Sequence, residues 1–230
     1  MRDLFTKVVS TAKKILIGLM LISVLLILLM RWIDPIGSMI MLERKLTNWS
    51  LHQQRTWKDW GDISDNIKIA VIASEDQRFS THFGFDFKAI NIALNHNKNS
   101  KKVRGASTIS QQVAKNIFLW SSRSWLRKGI ESWFTLWIEV LWSKQRILEI
   151  YLNSAEWGEG IFGIEAASRH YFNVSAKQLT VQQASLLAAI LPNPRKWSPT
   201  SPSSYVQKKA AWIRTQINNL GGKSYLQQLE

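Results

Sequence analysis

Sixteen consecutive residues without a charge, Ile15 to Met30 ("ILIGLMLISVLLILLM"), constrain this chain more than any other feature. A helix that is apolar all round has no stable surface in water, so it belongs in a core or a bilayer. Extended past Arg31 to Ile33 the run is about 28 Å of helix, close to the thickness of a hydrocarbon layer. The flanks favour the bilayer. Arg2, Lys7, Lys13 and Lys14 precede the run against Asp3 alone. An excess of cations predicts that residues 1–14 stay cytoplasmic and that the remainder lies outside. Arg31 suits snorkelling and Trp32 an interface. A cleaved signal would show a shorter apolar region and a small-residue site, whereas "RWIDPIGSM" follows here. The expectation is an uncleaved single-pass anchor over 15–33.

Composition narrows the partners. The net charge of +14 points to an anionic surface, nucleic acid or a phosphate-bearing substrate. A domain placed outside the membrane argues against nucleic acid. Twelve tryptophans suit a protein at the headgroup level. Cysteine is absent, which excludes disulfides, thiolate metal sites and cysteine nucleophiles.

Beyond the anchor the pattern is mostly α-helical. Residues 34–62 form a juxtamembrane segment whose "IGSMIMLERKL" could lie on the membrane surface or in a core. The folded domain is expected over 63–200, and 201–230 reads as a C-terminal helical segment. "SDNIKIAVIASED" has Asp65 as a candidate N-cap, and Thr180 with Gln183 forms a capping box ahead of "LLAAILP". Trp133 and Trp137 fall at i,i+4 on one helix face. Period-two alternation is scarce and no internal repeat is visible.

Several motif fragments carry nothing. "GGKS" at Gly221–Ser224 has Ile217 where a phosphate loop needs glycine. "STAK" at Ser10–Lys13 lies on the cytoplasmic side of the anchor. His52, His82, His96 and His170 show no metal-ligand spacing.

Two regions remain. "SEDQRFSTHFGFD", Ser74–Asp86, sets Glu75 and Asp76 directly after an apolar run and among phenylalanines. A carboxylate in apolar surroundings has a raised pKa and suits general acid–base work. Phe79, Phe83 and Phe85 fit a core or cleft wall, Asp86 a helix cap, and His82 either a buried structural role or a proton shuttle. The second region is the stretch of 44 residues between Asp86 and Glu131, which has no acidic side chain and nine basic ones. Within it Lys115 sits in the polar cluster "RGASTISQQVAKN", and Arg127 stands at i,i+4 to Glu131. Glu131 ringed by cations is either a structural ion pair or part of a phosphate or metal–phosphate site. Two carboxylates in opposite environments suit sugar chemistry, with the cations facing a phosphorylated leaving group.

At this point "EDQRFSTHFGFD", "RGASTISQQVAKNIFL", "RKGIESWFTLWIE", "KQRILEIYLNSAEWGEGIFGIEAASRHYF" and "LTVQQASLLAAILPNPRKWSP" together resemble, in order, the five motifs of the peptidoglycan glycosyltransferases. The resemblance covers about Ile63 to Pro199 and is closest to the monofunctional biosynthetic type. It implies a mostly helical, lysozyme-like, two-lobed domain on an anchor in a bacterial inner membrane, with the catalytic part periplasmic. It implies an enzyme that transfers a growing lipid-diphosphate-linked glycan onto the 4-hydroxyl of lipid II, with inversion. Glu75 would be the catalytic base, and Glu131 the second carboxylate, engaging the diphosphate directly or through Mg²⁺ or Mn²⁺. Asp76, Phe79 and His82 would support the base. Lys115, Arg127 and Lys128 would face the diphosphate. Arg104, Ser107, Thr108, Gln111, Gln112 and Asn116 would line the donor side. Tyr151, Asn153, Glu156 and Gly158 would form the fourth motif, with Asn153 near substrate. Partners would be lipid II, lipid-linked glycan, the membrane and other cell-wall synthesis or division proteins, with no organic cofactor and no nucleic acid. A hydrolase on a similar fold and a membrane-tethered binding protein are the competing readings.

Overall fold

The computed structural model describes residues 2–100, 105–122 and 124–229. The mostly helical expectation is met. The anchor is α1 (Arg2–Leu29), of which Phe5–Leu29 is long and apolar enough to cross a membrane. Helix α1 begins well before Ile15 and stops short of Ile33, because Arg146 caps its end. The Arg146 guanidinium donates to the carbonyl of Met30 at 3.0 Å and of Ile33 at 3.2 Å, and pairs with Asp34 at 2.8 Å. Unpaired helix-end carbonyls are thus satisfied by a cation, which the helix dipole also favours.

The anchor is docked on the body. Trp142 Nε1 donates to the Ile27 carbonyl at 2.7 Å, and Trp133 Nε1 to Ser23 Oγ at 3.1 Å. Both tryptophans belong to the region of α6 (Trp125–Leu141) and its C-cap. Trp133 and Trp137 meet edge-on, with centroids 5.6 Å apart, because Trp133 turns to reach α1.

The juxtamembrane segment is pinned to the helical body. Helix α2 (Met39–Thr47) buries no residue and leaves Met39, Leu42 and Leu46 exposed, as a membrane-surface helix does. Arg44 pairs with Glu156 at 3.0 Å, and Arg55 donates to the Asn153 carbonyl at 3.2 Å. Strand β1 (Gln54–Arg55) runs parallel to β3 (Ile161–Phe162), and β2 (Glu156–Gly158) antiparallel to it, in the order β1-β3-β2. Strands of two or three residues are too short to show an alternation in sequence.

The body is built around α3 (Asp65–Glu75). Residues Ile67 to Ala73 are all buried, so the helix is enclosed on every side. Its N-cap is Ser64, not Asp65: the Ser64 hydroxyl accepts from the Asn66 N–H. Asp65 instead holds Lys68 at 2.9 Å. Helices α9 (Val181–Ile190) and α10 (Ser204–Asn219) pack on α3. A second group comprises α5 (Ile109–Phe118), α6 and α7 (Lys144–Ser154), while α4 (Phe87–Asn99) follows the acid-bearing loop. The Thr180–Gln183 capping box opens α9 as expected. Asp86 caps α4 by accepting from the Ala89 N–H at 2.9 Å. Helix α8 (Ile164–Phe172) sits behind the sheet. Two 3₁₀ segments matter below: Trp60–Asp62 and Gly222–Leu229.

Candidate active site

Helix α3 ends where its sequence turns polar. Asp76 leaves helical geometry at φ −158°, its N–H still bonding the Ile72 carbonyl at 2.9 Å. The Phe79 N–H then closes a turn on the Asp76 carbonyl at 3.0 Å. Glu75, the last residue of an enclosed helix, is thereby delivered to the floor of a cleft of about 780 Å³. The cleft is walled by Ser74–Arg78, by the start of α4, by residues 105–108, by Gln112 and by α10 through Tyr205, Lys209 and Trp212.

Burial pushes the Glu75 carboxyl above the usual range, and this outweighs the groups that favour its anion. Those groups are Gln112, whose Nε2 donates to Oε2 at 3.1 Å, the positive charge of Lys209, and Ser74, whose hydroxyl donates to Oε1 at 3.2 Å. Gln112 is itself aligned from behind, for Tyr151 donates its hydroxyl to Gln112 Oε1 at 3.3 Å. Burial, and after it the nearby Glu75 charge, holds the Tyr151 phenol well above the ordinary value. The result is an ordered line from α7 through α5 to the end of α3.

Glu131 has the opposite setting. Arg127 Nη1 lies 2.5 Å from Oε2, and Lys128 Nζ bonds Oε1. The Arg127 Nε also donates to the Ser122 carbonyl at 2.7 Å. Lys128 Nζ lies 3.5 Å from Ser107 Oγ, so the cation cluster adjoins the cleft along its Ser107 wall. Lys115 links the two ends. Burial lowers its pKa, and the charges of both Glu131 and Glu75 act on it. Three cations surround one carboxylate, leaving a positive surplus near the half-buried Glu75.

That donor set does not fit a protein-held divalent metal. Both Glu131 oxygens are engaged by cations, and no group of three or more acidic or histidine ligands occurs among the described residues. What the cluster can hold without help is a diphosphate.

Several of the motif residues are tied by hydrogen bonds to other parts of the body. Asp76 takes His82 Nε2 at 2.8 Å and the Ile109 N–H at 3.0 Å, fixing the first turn of α5 against the loop. His82 is buried with it, its side chain 5% exposed. Phe79 is fully buried under Lys144, whose Nζ stands 4.7 Å above the ring. Thr108 and Gln111 form the capping box of α5, and the Thr108 hydroxyl donates to the Gly84 carbonyl at 2.7 Å. Gly84 has φ +77°, and a side chain there would strike Thr135 Cγ2 at 2.8 Å, so the loop lies directly on α6. Asn153 is 0% exposed. Its Oδ1 accepts from the Lys58 N–H and its Nδ2 donates to the Lys58 carbonyl, each at 2.8 Å. It clamps the juxtamembrane segment and is not among the residues that line the cleft. Phe83, expected in a core or cleft wall, is 55% exposed. Asn116 is half-buried next to Lys115, and Arg104 lies outside the described residues, as do Lys101, Lys102 and Arg123.

Sequence reasoning missed Lys209. It is one of several lysines on a C-terminal helix, and only the packing of α10 on α3 and α9 brings it to Glu75.

The family described as Transglycosylase matches residues 43–218. The chain is 58% identical to a biosynthetic peptidoglycan transglycosylase of Pseudomonas fluorescens, over 100% of this chain and 95% of that protein. It is 58% identical to the one of Pseudomonas savastanoi pv. phaseolicola over 90% and 89%, and 57% identical to that of Ectopseudomonas mendocina over 94% and 91%. With the matched family spanning Glu75, the cation cluster and most of α10, the chain belongs to the transglycosylase family.

Proposed function

We propose that this chain polymerises the glycan of peptidoglycan, with Glu75 as general base and the Lys115–Arg127–Lys128 group as the diphosphate site. The donor is a growing glycan joined through an α-glycosyl diphosphate to a polyprenyl lipid, and the acceptor is lipid II. Glu75 takes the proton of the acceptor 4-hydroxyl. The oxygen attacks the donor anomeric carbon from the face opposite the diphosphate, the bond from that carbon to the diphosphate oxygen breaks, and a β-1,4 bond forms with inversion. Polyprenyl diphosphate departs, its charge met by the three cations in a partly water-excluded site.

The carrying observation is the contrast between the two carboxylates: Glu75 desolvated and poised to accept a proton, Glu131 saturated by cations. The anchor supports a reaction at the surface of a bacterial inner membrane, with the N-terminus cytoplasmic and the catalytic body periplasmic. Cell-wall synthesis or division proteins are natural neighbours there. The test is product analysis with purified full-length chain and lipid II in detergent. Longer glycan plus released polyprenyl diphosphate is expected; shortened fragments from preformed glycan would favour a hydrolase and overturn the reading.

A further inference from the structure

The turn after Glu75 is held from two sides. Inside, Asp76 is fixed by His82 and by the first N–H of α5. Outside, the hold comes from a segment about 145 residues away, beyond the matched family region. The Tyr225 hydroxyl accepts from the Ser80 N–H at 3.0 Å and donates to the Gln77 carbonyl at 3.2 Å. One phenol thus bridges two backbone groups of the loop that follows α3. Ser80 Oγ donates to Gln228 Oε1 at 3.0 Å beside it. Tyr225 and Leu229 are buried, so the 3₁₀ segment Gly222–Leu229 is seated on α3 rather than lying loose.

Gln77 and Ser80 are the second and fifth residues past the base. A backbone turn this close sets the direction of the last side chain of the helix. Glu75 must reach an acceptor hydroxyl within hydrogen-bond range, and small misplacements there are expensive in rate. We propose that Tyr225 is a positioning residue for Glu75: its hydroxyl clamps the 77–80 turn and so holds the carboxylate at the cleft floor. This rests on the assignment of Glu75 as base.

Tyr225→Phe keeps the buried ring and deletes only the bridge. In the full-length chain, kcat is expected to fall about ten-fold, less than the roughly hundred-fold loss of a full ångström of misplacement, with KM for lipid II within about two-fold. A loosened turn also admits water to Glu75, whose ionisation is governed by burial. The charged and titratable groups facing it are Asp76 in the loop, Lys115 on α5, Tyr151 on α7 and Lys209 on α10. None of these is altered by the substitution, so the acid limb of the kcat/KM–pH profile should move to lower pH. Ser80→Ala removes only the Gln228 bond and should move the limb the same way by less. Tyr171→Phe, which deletes a phenol bond to the Trp157 carbonyl far from the loop, should leave the limb in place. An unmoved limb in Tyr225→Phe, or activity lost only in proportion to folded protein, overturns the proposal. Should Tyr225→Phe not fold, an unmoved limb in Ser80→Ala does so. The base assignment is judged separately: a limb that persists in Glu75→Gln refutes it, whatever Tyr225 does.

Discussion

Gln112 donates from Nε2 to Oε2 of Glu75 across 3.1 Å, tying the middle of α5 to the end of α3. The bond favours the anion of a carboxyl that burial otherwise drives toward protonation. Gln112→Leu should therefore raise the Glu75 pKa further and shift the acid limb of the pH–rate profile upward. At a fixed pH below that limb, activity should drop roughly 10- to 100-fold, the scale of a hydrogen bond to a charged group at about 1.5–3 kcal/mol. A profile measured from acid to neutral pH checks the sign.

The two cations on Glu131 are not equivalent. The Arg127 side chain is 10% exposed and that of Lys128 38%, against 3% for Glu131. Removing Arg127 leaves Glu131 Oε2 without its partner while Lys128 keeps Oε1, so Arg127→Ala should destabilise the fold by about 1–3 kcal/mol. Lys128→Ala should cost less stability than Arg127→Ala while weakening donor use, because the Lys128 ammonium is the more exposed of the two cations. Chemical denaturation beside turnover assays separates the two effects.

Since cations occupy both oxygens of Glu131, Mg²⁺ has no vacant acidic cradle there. Calorimetric titration of substrate-free protein with Mg²⁺ should give no binding up to about 1 mM, the weak end of the range for dedicated oxygen-ligand sites. Any divalent-metal dependence of turnover should then scale with the diphosphate substrate, which carries its own ligands.

Asn153 tests the distinction between clamp and contact. Asn153→Ala removes the partner of the half-buried N–H and carbonyl of Lys58. Stability should fall by about 1–3 kcal/mol per group, with KM for lipid II unchanged when activity is normalised to folded protein. A changed KM at full stability would mean that Asn153 meets substrate after all.

Much of this was legible in the chain itself. The anchor, the helical body, Glu75 after an apolar run and Arg127 at i,i+4 to Glu131 are local patterns, and local patterns survive folding. What local patterns could not display is the partners that lie far along the chain. Asp76, Thr108, Gln111 and Asn153 are polar residues in functional motifs, but their hydrogen bonds go to backbone and caps inside the protein. Lys209 and Tyr225 carry no local signature at all. Their roles come from α10 and the C-terminal 3₁₀ segment folding back on α3, at sequence separations no motif can display.

The central claim is that Glu75 is the base, and Glu75→Gln tests it in one protein with two readouts. Burial raises the folded pKa of Glu75 above its ordinary value, so protonation stabilises the fold. That stability is fully present below the unfolded pKa and is lost as pH rises through the folded one. At pH 7 Glu75→Gln should therefore unfold at a higher temperature than wild type, the gap closing below about pH 4. With lipid II at pH 7 it should elongate glycan about 100- to 10,000-fold more slowly. A folded Glu75→Gln protein that elongates glycan at the wild-type rate would contradict the account.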